Sequence, residues 1–163
     1  FEGVTPVQQV LSLARELHGM GFEELTLGDT IGTATPSHVT AVVRALSQNF
    51  PTLDLVLYLH DTRGLSLANV MAGMSVGVDR FESSLGGVGG CPFAPGATGN
   101  VATEDLVHFL HAEGHETGFD LDALIAESKW FSTILGRELP AKLLKVPPIG
   151  FIVPMSRSKR AIG

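Results

Sequence analysis

Leu53-Asp54-Leu55-Val56-Leu57-Tyr58-Leu59, running straight into His60-Asp61-Thr62-Arg63-Gly64, is the stretch that decides the fold. Its first part is almost continuously apolar, the pattern of a strand buried on both faces of a parallel sheet. Its second part turns polar at once, where such a strand ends and the chain prepares to enter a helix. Working outward, the same alternation recurs on both sides. Glu24 to Asp29 alternates as a strand, and Thr35-Pro36 opens a helix with Val39, Val42, Val43 and Leu46 on its inner stripe. Upstream, Thr5-Pro6 begins a helix through Val7, Val10, Leu11, Ala14 and Leu17, with Gly19 and Gly21 near its stop. Downstream, a helix is expected from about Leu65 to Ser75 and a strand from Asp79 to Leu85. A helix capped by Thr103 follows, with Glu104 and Asp105 set against its dipole, and then one from Asp120 to about Leu135 with Trp130 as a core anchor. Val70, Met71 and Met74 read as core filling.

Strand starts lie about 25–30 residues apart, the length of a β/α unit. The fold class is therefore α/β. A (β/α)8 barrel needs roughly 250 residues, so these units read as the C-terminal part of a TIM barrel. A doubly wound open sheet is the alternative, but no Gly-x-Gly-x-x-Gly sits at a strand-to-helix turn. Residues 1–145 form the barrel portion. Residues 146–163, with three prolines and a basic Arg157-Ser158-Lys159-Arg160, read as an irregular tail that docks through Phe151 and Ile152.

Composition narrows the function classes. With 163 residues and 44% hydrophobic content, the chain can bury one real core. Its net charge of -6 speaks against a nucleic-acid partner, which would call for excess Lys and Arg on one face. No apolar run reaches the roughly 18 residues of a membrane span. A single cysteine forms no internal disulfide, so a reducing, cytoplasmic setting is the default expectation. The first residue is Phe1, not methionine, and the sequence reads as a piece of something longer, with any targeting segment out of sight.

The one cysteine sits in Ser83-Ser84-Leu85-Gly86-Gly87-Val88-Gly89-Gly90-Cys91-Pro92-Phe93-Ala94-Pro95-Gly96-Ala97-Thr98-Gly99-Asn100. So much glycine frees the backbone to take positive φ and to approach a ligand. The run lacks the Lys-Ser/Thr of a phosphate loop. It reads as an active-site lid holding a thiol, and Asn100 as the opening of the next helix. Gly28-Asp29-Thr30, His60–Gly64 and this loop all fall at carboxyl ends of strands, which in a β/α barrel meet on one face. Each cluster alone could be an ordinary helix cap. His108, His111 and His115 share a helix face that reads as solvated.

Leu27-Gly28-Asp29-Thr30-Ile31-Gly32, His60-Asp61-Thr62-Arg63-Gly64, and the Gly-Gly-Cys-Pro-Phe-Ala loop running into Asn100-Val101-Ala102-Thr103-Glu104-Asp105-Leu106 resemble the 3-hydroxy-3-methylglutaryl-CoA lyase family. The resemblance covers residues 1 to about 145 and implies a TIM-barrel, metal-dependent carbon–carbon lyase. It implies a divalent cation, Mg²⁺ or Mn²⁺, held by a first-strand Asp, two His at i and i+2, and an Asn. His60 matches the second His and Asn100 the Asn. Tyr58 stands at the first His position, and the first-strand Asp with its neighbouring Arg has no counterpart in this sequence. The i, i+2 spacing suits the role because alternate strand residues point to one side.

The resemblance further implies that Cys91 and Asp29 are catalytic, Cys91 as a proton-transfer thiol and Asp29 as a lumen-facing acid. Asp29, Gly90 and Cys91 would contact substrate, an acyl-CoA. The implied reaction is a retro-Claisen cleavage of 3-hydroxy-3-methylglutaryl-CoA to acetyl-CoA and a keto acid. Two other readings stand beside it: a related aldol-type lyase for another branched hydroxyacyl-CoA, and an inert homologue or fragment with a role in association. The strand edge left by half a barrel predicts a homo-oligomer.

Overall fold

The computed structural model describes residues 5–90 and 99–147. Three parallel strands, β1 (Glu24–Asp29), β2 (Asp54–Leu59) and β3 (Arg80–Glu82), pair in the order β1-β2-β3. Glu24 lies opposite Asp54 and Asp29 opposite Leu59, while Val56 to Tyr58 pair with Arg80 to Glu82. Helices α1 (Val7–Gly19), α2 (Pro36–Asn49) and α3 (Ser66–Met74) alternate with the strands, and α4 (Thr103–Ala112) and α5 (Leu121–Leu135) follow. This is the α/β alternation expected from the spacing of the apolar runs.

Local sequence explains most boundaries. Thr35 caps α2, its hydroxyl accepting from the His38 amide at 3.3 Å, and Pro36 follows at the first helical position, where its missing N–H costs nothing. Asp120 caps α5 by accepting from Ala123 N at 3.0 Å, and Gly136 ends it in a left-handed conformation. Four boundaries depart from expectation. At α1 the capping position is Pro6, one residue on from Thr5, with no side-chain cap. β3 is only three residues long, because the chain leaves the sheet at Ser83 and tightens into a 3₁₀ turn at Leu85–Gly87. Thr103 is the first residue of α4, not its cap, and its hydroxyl bonds Ser83 Oγ instead. Asn100 opens no helix; it bridges antiparallel to His60.

The two faces of the sheet differ. Leu25, Leu27, Leu55, Leu57, Leu59 and Phe81 point toward the helices and join Leu11, Ala14, Val39, Val43, Leu46 and Val70 in one core. The alternate residues make a polar face: Arg80 bridges Glu24 and Asp54, and Thr26 donates to Glu82. Leu46 and Val70 are wholly buried, each stabilising by about 1.5–3 kcal/mol. Met74 packs against this core as expected, whereas Met71 is exposed. Trp130 is 60% exposed, not a core anchor. The buried position of α5 is Ser128, and two residues further on a side chain points about 200° away round the helix.

Candidate active site at the carboxyl ends of the strands

Tyr58, on the polar face of β2, and His60, just past the end of that strand, have their rings edge to face at 5.1 Å. Gly28 lies opposite Tyr58 on β1, where a Cβ would meet the phenol ring at an ordinary 3.7 Å. His60 is 3% exposed, and burial lowers its pKa from the usual value, a pull that the negative charge of Asp29 partly opposes. The imidazole is therefore neutral at pH 7.

Asn100 reaches His60 because Gly99, just before it, packs against Gly87 and Gly89. Gly99 takes φ +114°, and a Cβ there would fall 2.4 Å from Gly87 O and 2.7 Å from Gly89 O, so only glycine fits this neck. Asn100 Nδ2 donates to Val88 O at 3.2 Å, which fixes the amide orientation and turns Oδ1 the other way. Among the described residues six buried side-chain atoms have no hydrogen-bond partner, on His60, Thr62, Asn69, Asn100, Glu104 and Ser128, and two of them, His60 Nδ1 and Asn100 Oδ1, belong to this bridged pair. Buried polar atoms are rarely left so. An imidazole nitrogen and an amide oxygen on bridged residues are a fit for a divalent cation. No set of three or more His, Cys, Asp or Glu capable of holding a metal occurs among the described residues. The remaining donors would come from Tyr58 or from outside this sequence.

Asp29 shares the face of Leu25 and Leu27, on the helix side of β1. Its two oxygens accept from Thr33 N at 2.9 Å and Ala34 N at 3.1 Å. The expected lumen-facing orientation is thus corrected: the carboxylate is turned into its own loop, which it closes, while its charge still reaches His60. Arg63 donates to Ile31 O, and Gly32 packs under His60 O and Thr62, so the first two strand-end clusters do meet. Gly90 is exposed. Cys91 lies outside the described residues, as do Phe151 and Ile152. His111 bonds Thr117 and stays at the surface, in line with a solvated face.

Sequence reasoning missed a charged cluster beside this site. Asp61 accepts from Ser66 N and Oγ at the start of α3, and Lys142 Nζ reaches both Asp61 and Asp105. Burial pushes the Asp61 carboxyl up, but the Lys142 and Ser66 hydrogen bonds outweigh it and hold it below the usual range. Asp61 was visible in the sequence as a cap; Lys142, in an aperiodic stretch, carried no signal. Glu104 is fully buried and holds Gly86 N at 3.0 Å, a role its place in the first turn of a helix did not reveal.

The chain is 42% identical to a Bacillus subtilis hydroxymethylglutaryl-CoA lyase over 90% of its own length and 49% of the relative's. It is 44% identical to a Chloroflexus aurantiacus (R)-citramalyl-CoA lyase, over 91% and 47% respectively. A solved HMG-CoA lyase from Acinetobacter baumannii, in complex with coenzyme A and 3-methylmalate, superposes with a TM-score of 0.86 at 44% identity. That match covers 95% of this chain and 51% of the other. The chain thus spans about half the length of the relatives it matches, and its three β/α units are a partial TIM barrel. The HMGL-like family model matches residues 1–130, and the chain belongs to that family.

Proposed function

We propose that this chain supplies one half of the active site of an acyl-CoA lyase that cleaves a branched 3-hydroxyacyl-CoA into acetyl-CoA and a keto acid. The observation that carries the reading is the pair of orphaned donors, His60 Nδ1 and Asn100 Oδ1, at the carboxyl end of a barrel strand. In the reaction a base removes the proton of the tertiary hydroxyl, whose oxygen becomes the keto carbonyl as the adjacent carbon–carbon bond breaks. The electron pair of that bond passes to the acetyl-CoA enolate, which then takes up a proton. Cys91 is the proposed donor of that proton. Gly90 and Cys91 are the proposed substrate contacts, while Asp29, turned into its own loop, acts on the site through its charge near His60.

His60 and Asn100 would hold a divalent cation, Mg²⁺ or Mn²⁺, which when bound supplies Lewis acidity to the substrate oxygens. His60 suits this role because its neutral imidazole keeps a lone pair at working pH. Tyr58 stands where the resemblance implies an imidazole, and a phenol oxygen is a poorer ligand than an imidazole nitrogen. It therefore weakens the set, or serves the pocket by shape.

The acyl group has two supported candidates. One is the 3-hydroxy-3-methylglutaryl thioester, after the B. subtilis relative; the other is a citramalyl thioester, after the Chloroflexus relative and the 3-methylmalate complex. The test is acetyl-CoA release from each thioester by the full-length protein with Mg²⁺ or Mn²⁺, before and after Cys91→Ala. Release from at least one, reduced at least about 100-fold by the substitution, is the expected result. No release from either, or release untouched by Cys91→Ala, contradicts the reading and favours an inert, associating homologue. Homo-oligomerisation and a cytoplasmic location remain proposals. Relatives include both mitochondrial and cytoplasmic forms, and no described helix is long and apolar enough to cross a membrane.

A further inference from the structure

Residues 139–141 lie across the start of the glycine segment, and Lys142 and Leu143 follow them onto α4. Leu139, 3% exposed, covers Gly86 so closely that a Cβ there would fall 2.3 Å from Leu139 Cδ1. Pro140 covers Gly87, and Ala141 N donates to Gly86 O at 3.3 Å. The next two residues are fastened to α4: the Asp105 carboxylate accepts from Lys142 N at 2.9 Å and from Leu143 N at 3.0 Å. The Lys142 ammonium then reaches across to Asp61, the residue after His60, and lies 3.7 Å from Asp105. Asp61 in turn donates its amide to Gly99 O at 3.1 Å. One short segment thus contacts the first turn of the glycine segment directly and its far end through Asp61.

We propose that residues 139–143 are a strap that sets the stance of Ser84–Gly90, the first part of the glycine segment, against His60, with Lys142 as the positioning residue that fastens it. Gly86 and Gly87 both take positive φ and carry no side chains of their own to hold that conformation. The strap covers them from one side, while the Glu104 carboxylate holds Gly86 N. Lys142 also lies between two mostly buried carboxylates, whose side chains are 18% and 6% exposed. Without the ammonium they would repel each other across the joint that the strap closes. The link to catalysis rests on the lyase reading above; the link to loop stance does not.

The test uses the full-length protein and two substitutions, Lys142→Met and Lys142→Arg. Lys142 is 64% exposed, so neither disturbs the core. Amide hydrogen exchange of residues 84–90 is expected to rise about tenfold in Lys142→Met and to return toward the parent rate in Lys142→Arg. KM for the thioester is expected to rise about tenfold with a smaller change in kcat, since the strap acts on the shape of the site and not on the reacting atoms. Unchanged exchange at 84–90 in Lys142→Met would overturn the strap. So would a rise spread evenly over all helices, or failure of arginine to restore it. Faster local exchange in a protein whose parent cleaves neither thioester would support the strap and contradict the lyase.

Discussion

Tyr58 carries the sharpest chemical question in the chain. Its ring stands beside His60, just past the end of β2, at the spacing where a second imidazole would complete a pair of nitrogen donors. A neutral imidazole offers a ready lone pair to a divalent cation, and a phenol hydroxyl is the poorer ligand. Tyr58→His in the full-length protein should therefore tighten Mn²⁺ binding by about tenfold or more, measured calorimetrically. Equal affinity in both proteins would show that position 58 faces no metal. His60 and Asn100 were legible as candidates from residue type and position, because strand-end polar groups are few and their chemistry is distinctive. Their pairing across an antiparallel bridge was not, since it depends on a neck between Gly87 and Gly99 that no local pattern encodes.

At the scale of elements, the glycine segment depends on Gly86. It holds φ +65° beneath Leu139, so Gly86→Ala introduces both a strained backbone and a clash. The cost should be about 1–3 kcal/mol in urea denaturation, with the larger part of any kinetic effect on KM. Leu46→Ala should cost about 2–5 kcal/mol, since the side chain is fully buried between α2 and the rest of the core. A loss under about 1 kcal/mol at both positions would contradict the packing described here. Elements with a strong period were legible. The expected limits of β1 hold to the residue, because Leu25 and Leu27 alternate with polar neighbours, and Thr35-Pro36 marks the start of α2. β3 was read too long because Leu85, which looks like a strand residue, belongs to a turn imposed by Gly86 and Gly87. Trp130 misled for a related reason: size alone says nothing about which side of α5 is covered.

At the scale of the molecule, among the described residues one edge of β1 has no strand partner. Such an edge pairs readily with other chains. Expressed alone, the 163-residue chain should migrate well above 17.2 kDa in size-exclusion chromatography with light scattering. A clean monomer would contradict this. The charged joint around Lys142 gives the molecule an acid weakness. Asp61 is held below its ordinary pKa, so its contribution to stability is complete above about pH 4 and disappears as the pH falls through its lowered value. Lys142→Met should shrink that acid-dependent part of the denaturation midpoint, by no more than about 1 kcal/mol given how exposed the ammonium is. An unchanged acid profile would show that the pair contributes nothing. The α/β architecture and its partial-barrel character were legible because the β/α period is long-range and repeated. The strap was not, because its contacts join residues far apart in the chain.

One measurement bears on the centre of this structure: acetyl-CoA release by the full-length protein compared with its Asn100→Ala variant, with Mn²⁺ and the two thioesters. Loss of the amide oxygen should lower kcat/KM by at least about 100-fold while the denaturation midpoint moves little. Equal rates in the two proteins would mean that the bridged His60–Asn100 pair is not where the carbon–carbon bond is cleaved.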